Sequence, residues 1–422
     1  MLALNGGRPL IERPLAPYRS YGSEEAEAAQ RVIGSGVLSS FLGADGDLFL
    51  GGPRVNDFES AWSDWFGVPH SVSVNSATSG LIAAYGALGI EPGDEVIVTP
   101  WTMAATATAI VVWNAIPVFA DIEPDTFGLD PAAVGALITE RTRAIAVTDI
   151  FGHPARLDPL MEIAHRHGLK VVEDAAQAPG ARYGDRFAGT VADIGVYSLN
   201  YHKHIHTGEG GMCVTRDPDL AERMQLIRNH AEAVAGTRRP DDLRNLVGFN
   251  FRMGEIEAAM GSEQLRKLDR LATERSAIGA RLTQELGDLQ GVTPPRVERD
   301  CKHVYYIYGL TLDPEEIGVS RARIVAALRA EGVSALTDGY VNVHRLPMFE
   351  RGIAYGDRGY PFTAGERAPR YGAGICPVAE RLHDQDLLGL VVCTLQLGEE
   401  DFEAVVGAFR KVWDGLDELR AA

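Results

Sequence analysis

Between Ser198 and Gly211 the chain reads SLNYHKHIHTGEGG, which sets one lysine, Lys203, among three histidines, ahead of a turn with three glycines and an acid. Three chemistries suit such a run: a metal site, a phosphate loop, or a lysine that holds a cofactor covalently. If the segment is extended, His202, His204 and His206 alternate and His204 faces away from the other two. No nearby carboxylate or cysteine completes a zinc set, so no metal is expected. GEGG ahead of GMCVT reads as a tight turn before a strand, and Lys203 alone reads equally well as solvated surface. Asp174 ends the apolar run VVEDAAQ, where a carboxylate either caps the next helix or pairs with a ring nitrogen. Thr78, in NSATSGL, is either a simple helix cap or part of an anion site at which free N–H groups and the helix dipole point outward.

These residues need a scaffold that brings them to one edge. HSVSVN alternates as a strand does, and SATSGLIAAYGALG is small and apolar at helical spacing, with Gly89 at its end. DEVIVTP, IPVFADI, RAIAVTDIF and LKVVEDA are apolar β-branched runs separated by helical segments such as LDPLMEIAHRHG. Strands alternating with helices predict a large, mostly parallel α/β sheet whose ligands sit beyond the carboxyl ends of the strands, with Ser76, Asp174 and the Ser198 loop on that edge. From about Phe249 the texture changes. RMGEIEAAMGSEQLRKLDRLATERSAIGARLTQEL is a long helix, followed by HVYYIYGLTL, the helix ARIVAALRAEG, an irregular stretch from Tyr340 to Tyr371 and a last helix from Asp401. The division expected is a large domain, residues 1–246 with an N-terminal arm, and a smaller α+β domain, residues 247–422.

Composition narrows the rest. The 422 residues are 45% hydrophobic and 23% charged, a globular balance long enough for two cores. No apolar run approaches the roughly 18 residues of a membrane helix, and MLALNGGRPLIERP lacks a signal-peptide pattern, so a cytoplasmic protein without a membrane partner is expected. A formal net charge of −18 argues against nucleic acid as a partner. Cys213, Cys301, Cys376 and Cys393 form no CxxC pair and read as buried thiols.

Taken together, in this order and at this spacing, the segments resemble the sugar aminotransferases of the DegT/StrS family, pyridoxal-phosphate enzymes of the aspartate-aminotransferase-like fold (fold type I). The likeness runs from about Leu2 to Leu419. Its anchors are GGPRVNDFESAWSDWFG, SVNSATSGLIAAYGALGIEPGDEVIVTP, VVEDAAQAPGARY, YSLNYHKHIHTGEGGM, GFNFRMGEIEAAMGSEQL and CPVAERL. The family motif S-x-x-x-x-K-x-x-x-x-G-E/D-G-G carries the lysine that binds the cofactor, and Lys203 fits it, five residues after Ser198 and five before Gly208.

The resemblance also implies roles. Asp174 pairs with the ring nitrogen, whose protonation makes the cofactor an electron sink, and Gln177 donates to the phenolate oxygen. Ala77, Thr78 and Ser198 hold the phosphate. Asn250, in G-x-N-x-R, reaches the phosphate of a neighbouring subunit, which implies a homodimer with shared sites; the bland alternative is a cap for the helix near Gly254. Arg252 suits a donor carboxylate or a substrate phosphate, or else makes a surface ion pair. His202 is a candidate substrate contact. One position departs from the pattern: where the family stacks an aromatic side chain on the ring, TPWTMAAT has Met103, so either its thioether or Trp101 covers the ring. The activity implied is transfer of an amino group from L-glutamate or L-glutamine to a nucleotide-linked keto-sugar or a keto-cyclitol, with Lys203 as the base that moves the Cα proton. A dehydratase with the same cofactor is the nearer alternative, disfavoured because related dehydratases carry histidine in place of the lysine. A non-catalytic regulator on the same fold is disfavoured by the intact set Lys203, Asp174, Gln177 and Ser198.

Overall fold

The structure is a computed structural model that describes residues 1–238, 240–363 and 369–420. Seven strands make the main sheet: β1 (His70–Val74), β2 (Glu95–Val98), β3 (Ile116–Phe119), β4 (Thr142–Thr148), β5 (Lys170–Asp174), β6 (Ile194–Ser198) and β7 (Gly211–Thr215). Their order is β1-β7-β6-β5-β4-β2-β3. Only β7 runs antiparallel to its neighbours; the other pairs are parallel. Strands covered on both faces need apolar side chains on both faces. In β2, accordingly, Val96 and Val98 enter one core while Ile97 enters another.

Helices supply the covers. Helix α1 (Pro53–Phe66) packs Phe58, Trp62 and Phe66 against Tyr197 and Met212. Helices α2 (Ala77–Ala87) and α3 (Ala105–Val112) close one face and α4 (Leu157–His167) the other. Gly80 lets α2 lie directly on the sheet, because a Cβ there would stand 2.9 Å from Cys213 Sγ and Val196 Cγ1.

Helix α5 (Glu255–Leu286) leads to a second sheet built from β8 (Val292–Thr293), β9 (Tyr308–Leu312), β10 (Leu336–Asp338) and β11 (Leu387–Leu390). This sheet is antiparallel, ordered β8-β9-β11-β10. Helices α6 (Arg321–Ala330) and α7 (Glu399–Asp414) bury Ile324, Leu328, Phe402 and Phe409 against it.

Three details depart from the sequence reading. Leu2, Ile11 and Leu15 join the core of the second sheet, so the N-terminal arm packs there and not with the large sheet. The irregular stretch from Tyr340 folds back onto the first core through Val343, Phe349 and Phe362, and Val343 N–H donates to the Pro100 carbonyl at 2.9 Å. Residues 364–368 of that stretch lie outside the described residues. Finally, Cys301 is only half-buried, whereas Cys213, Cys376 and Cys393 are buried.

Candidate active site

The candidate side chains gather where β1, β5 and β6 end and α2 begins. Ser198 closes β6 opposite Gly211, which also pairs with Val74 of β1. A Cβ on Gly211 would stand 2.7 Å from the Ala77 nitrogen, so glycine is what allows the start of α2 to meet β7. Ser76 caps that helix: its Oγ accepts the Ser79 N–H at 3.1 Å. The N–H groups of Ala77 and Thr78, the first two helical positions, have no partner among the described residues. Two free donors at a helix N-terminus, with the Ser198 hydroxyl nearby, have the chemistry to cradle a phosphate.

Lys203 is buried in a turn, not a strand, its own N–H bonded to the Asn200 carbonyl at 2.9 Å. Its Nζ lies 4.3 Å from the centroid of the Tyr306 ring. Burial pulls the amine down to about 8, against the opposing pull of Asp174 and Cys393. Asp174 is buried as well. Thr106 Oγ1 donates to its Oδ2 at 2.6 Å and the Ala176 N–H to its Oδ1 at 3.1 Å. Burial raises the Asp174 carboxyl above its ordinary value, and the Thr106 bond, the Ala176 bond and Lys203 act in the other direction. No lysine or arginine among the described residues is bonded to it. A buried carboxylate with neutral donors and no bonded cation fits a protonated ring nitrogen.

Three residues on, Gln177 Oε1 accepts the Phe151 N–H at 2.8 Å and Nε2 donates to the Tyr340 hydroxyl at 3.1 Å, leaving one amide proton unspent. Phe151 sits at φ 58°, a conformation a bulky side chain adopts only under constraint, in the turn after β4.

The other expectations fall out unevenly. Trp101 is removed as a ring-stacking candidate: it is 0% exposed, packed among Phe127, Phe151 and Tyr340, and its Nε1 donates to Asn342 Oδ1 at 2.9 Å. Met103 is 64% exposed at the entrance to α3. His202 is half-buried with its ring centroid 6.0 Å from that of Tyr306, and desolvation, then Lys203, lower its pKa to about 4. His204 is fully buried, with Nε2 2.8 Å from the Val304 carbonyl. Asn250 lies beside the β1–α2 turn, its carbonyl accepting from Asn75 Nδ2 at 3.5 Å, and its side chain is exposed. It does not cap α5, whose N-cap is Gly254. Arg252 donates from Nε to Asn250 Oδ1 at 2.7 Å and pairs with no carboxylate among the described residues.

Thr106, Tyr306 and Tyr340 went unnoticed in the sequence. Each reaches the site from a distant segment, Thr106 being 68 positions from Asp174 and Tyr340 163 from Gln177.

A buried amine on a turn, a carboxylate at the end of the neighbouring strand and an anion-ready helix start lie on one edge of this sheet, an arrangement that suits a pyridoxal-phosphate-dependent aminotransferase of fold type I. Residues 42–368 match the DegT/DnrJ/EryC1/StrS aminotransferase family, and the chain belongs to it. GDP-perosamine synthase of Caulobacter vibrioides is 39% identical over 67% of this chain and 76% of its own length. A putative L-glutamine:3-amino-2,3-dideoxy-scyllo-inosose aminotransferase of Streptomyces kanamyceticus is 33% identical over 100% of this chain and 99% of its own. Among solved structures, DesI in the presence of its TDP-sugar product superposes with a TM-score of 0.81 at 30% identity, covering 100% of this chain and 98% of that one.

Proposed function

We propose that the chain moves an amino group from L-glutamate or L-glutamine to a hydroxylated cyclic ketone, either a nucleotide-linked keto-sugar or a keto-cyclitol. The observation that carries this reading is the buried pair of Lys203, with its amine near 8, and Asp174, beside a helix start with two free N–H groups. Similarity to a GDP-perosamine synthase supports the sugar arm, and end-to-end similarity to an inosose aminotransferase supports the cyclitol arm.

When bound, pyridoxal phosphate supplies the electron sink for charge left at the donor's Cα. Ala77 and Thr78 hold the phosphate through their N–H groups, with the Ser198 hydroxyl closing one side. Asp174 keeps the ring nitrogen protonated, Gln177 gives its unspent amide proton to the phenolate oxygen, and Met103 covers a ring face. Lys203 anchors the cofactor and, when free, takes the proton from Cα; an amine near 8 is neutral often enough at ordinary pH to serve as that base. His202, neutral with its pKa near 4, offers the substrate a hydrogen bond and no charge.

A second copy of the chain completes each site. Exposed Asn250 and the guanidinium of Arg252, which pairs with no carboxylate among the described residues, reach across to the neighbour's phosphate and to an anionic substrate group. The surrounding surface supports this: Val37, Leu38, Leu42, Leu48 and Val247 are 45–60% exposed, and Arg252 Nη1 donates to the Phe41 carbonyl within that patch at 3.4 Å. The reading includes a cytoplasmic location and no nucleic-acid or membrane partner. A net charge of −18 supports the first exclusion, and no helix among the described residues is long and apolar enough to cross a membrane.

The decisive experiment offers a panel of keto-sugar nucleotides and inososes to the glutamate-loaded enzyme and reads product mass. A gain of one amino group on at least one cyclic ketone is expected. Amination of none, with loss of a hydroxyl group instead, would give the chain to the dehydratases.

A further inference from the structure

Behind the Asp174 carboxylate the structure holds a row of three buried hydroxyl groups. Thr148, at the end of β4, lies with Oγ1 3.3 Å from Thr102 Oγ1; Thr102 Oγ1 is 2.6 Å from Thr106 Oγ1; and Thr106 Oγ1 is 2.6 Å from Asp174 Oδ2. All three threonines are at most 3% exposed. The direction of the row follows from counting protons. An ionised carboxylate only accepts, so Thr106 gives it its single hydroxyl proton, with the Met103 carbonyl at 3.2 Å as the alternative acceptor. Thr106 can then only accept from Thr102, and Thr102 from Thr148. The result is three dipoles aligned with their positive ends toward Asp174, a geometry in which each bond polarises the next.

The surroundings give the row something to do. The titratable groups that act on or with Asp174 are Lys203, Asp149, Tyr85 and Tyr340. Asp149, in the turn after β4, is pushed well above the ordinary carboxyl range by burial, then by Glu173; Glu173 accepts the backbone N–H groups of Gly189, Val191 and Ala192. Apart from Lys203, then, neutral donors alone offset the burial of Asp174.

We propose that the threonine row Thr148–Thr102–Thr106 is a positioning device that keeps Asp174 ionised and aimed, so that Thr102 and Thr148, which do not touch the carboxylate, still tune the reaction. This rests on the assignment of Asp174 to the ring nitrogen. The row acts on the electronic properties of the bound cofactor and not on substrate affinity.

The test uses Thr106→Val, Thr102→Val, Thr106→Ser and Asp174→Asn in the holoenzyme, read three ways: kcat and KM, thermal midpoint, and the pH titration of the visible absorbance of the lysine-bound cofactor. One bond to a charged group removed predicts a fall in kcat of about tenfold to a hundredfold for Thr106→Val, with KM within about threefold. For Thr102→Val, one bond removed from the carboxylate, a fall of about threefold is expected. The absorbance titration moves in both valine variants, and Thr106→Ser, which restores the hydroxyl, returns kcat and titration toward the parent. If Asp174→Asn is inactive while both valine variants keep the parent's kcat and titration, the row has no such role and the ring-nitrogen assignment stands. If Asp174→Asn itself turns over normally, that assignment fails and the row falls with it. A lowered thermal midpoint with an unmoved titration would make the threonines structural only and would equally overturn the proposal.

Discussion

Gln177 donates its side-chain amide to the Tyr340 hydroxyl at 3.1 Å while its carbonyl oxygen accepts the Phe151 N–H, so the amide can face the site in one orientation only. Tyr340 comes from the stretch after the second sheet begins, and burial holds its phenol up at about 12, un-ionised. Replacing it tests whether this orientation matters. Tyr340→Phe should lower kcat about threefold to tenfold, the worth of one neutral hydrogen bond, without loss of cofactor. Steady-state kinetics identical to the parent's would show that Phe151 alone orients the amide.

Lys203 yields a covalent and a pH test. Borohydride reduction followed by peptide mapping should find the pyridoxyl group on Lys203, and Lys203→Ala should abolish transamination; an adduct on any other lysine would refute the assignment. Because burial lowers this amine to about 8, it is protonated below that pH and neutral above it. The donor half-reaction, followed by absorbance, should therefore speed up as pH rises and level off above 8. A profile flat across that value would remove Lys203 as the base.

Gly211→Ala probes the close approach of β7 and α2. The added Cβ would stand 2.7 Å from the Ala77 nitrogen and 2.8 Å from the Ser76 carbonyl oxygen, and backbone atoms cannot swing aside as a flexible side chain can. Such overpacking costs about 1–3 kcal/mol, and it moves the very N–H groups offered to the phosphate. A lower thermal midpoint together with faster cofactor loss on dialysis is expected. Unchanged retention would separate the start of α2 from phosphate binding.

The shared site can be tested by complementation. An inactive Lys203→Ala chain is mixed with an inactive Asn250→Ala/Arg252→Ala chain and subunits are allowed to exchange. In a mixed dimer one site carries both defects and the other carries none, so activity should return. No recovery despite demonstrated exchange would mean that each site is built within one chain.

Short-range pattern was enough for the scaffold. The alternation of β-branched runs with helical segments specified a mostly parallel sheet wound on both faces, and the strand endings put Asp174 and Ser198 on one edge, because side-chain period and strand polarity are local properties of the chain. The lysine motif likewise picked out Lys203 as a residue of the Ser198 turn. Tertiary packing decided what surrounds these groups. TPWTMAAT left Met103 and Trp101 equivalent, and only the three-dimensional contacts of Trp101 with Phe127, Phe151 and Asn342 turn it inward. The N-terminal arm could be assigned to either core by its apolar residues, since burial of Leu2, Ile11 and Leu15 needs any apolar partner and names none. Hydroxyl groups are the hardest to foresee: a threonine satisfies its backbone, its neighbours or solvent equally well. That Thr106 spends its proton on Asp174, and Tyr340 its lone pair on Gln177, depends on distances between segments 68 and 163 residues apart, which chain order does not encode until the core has closed.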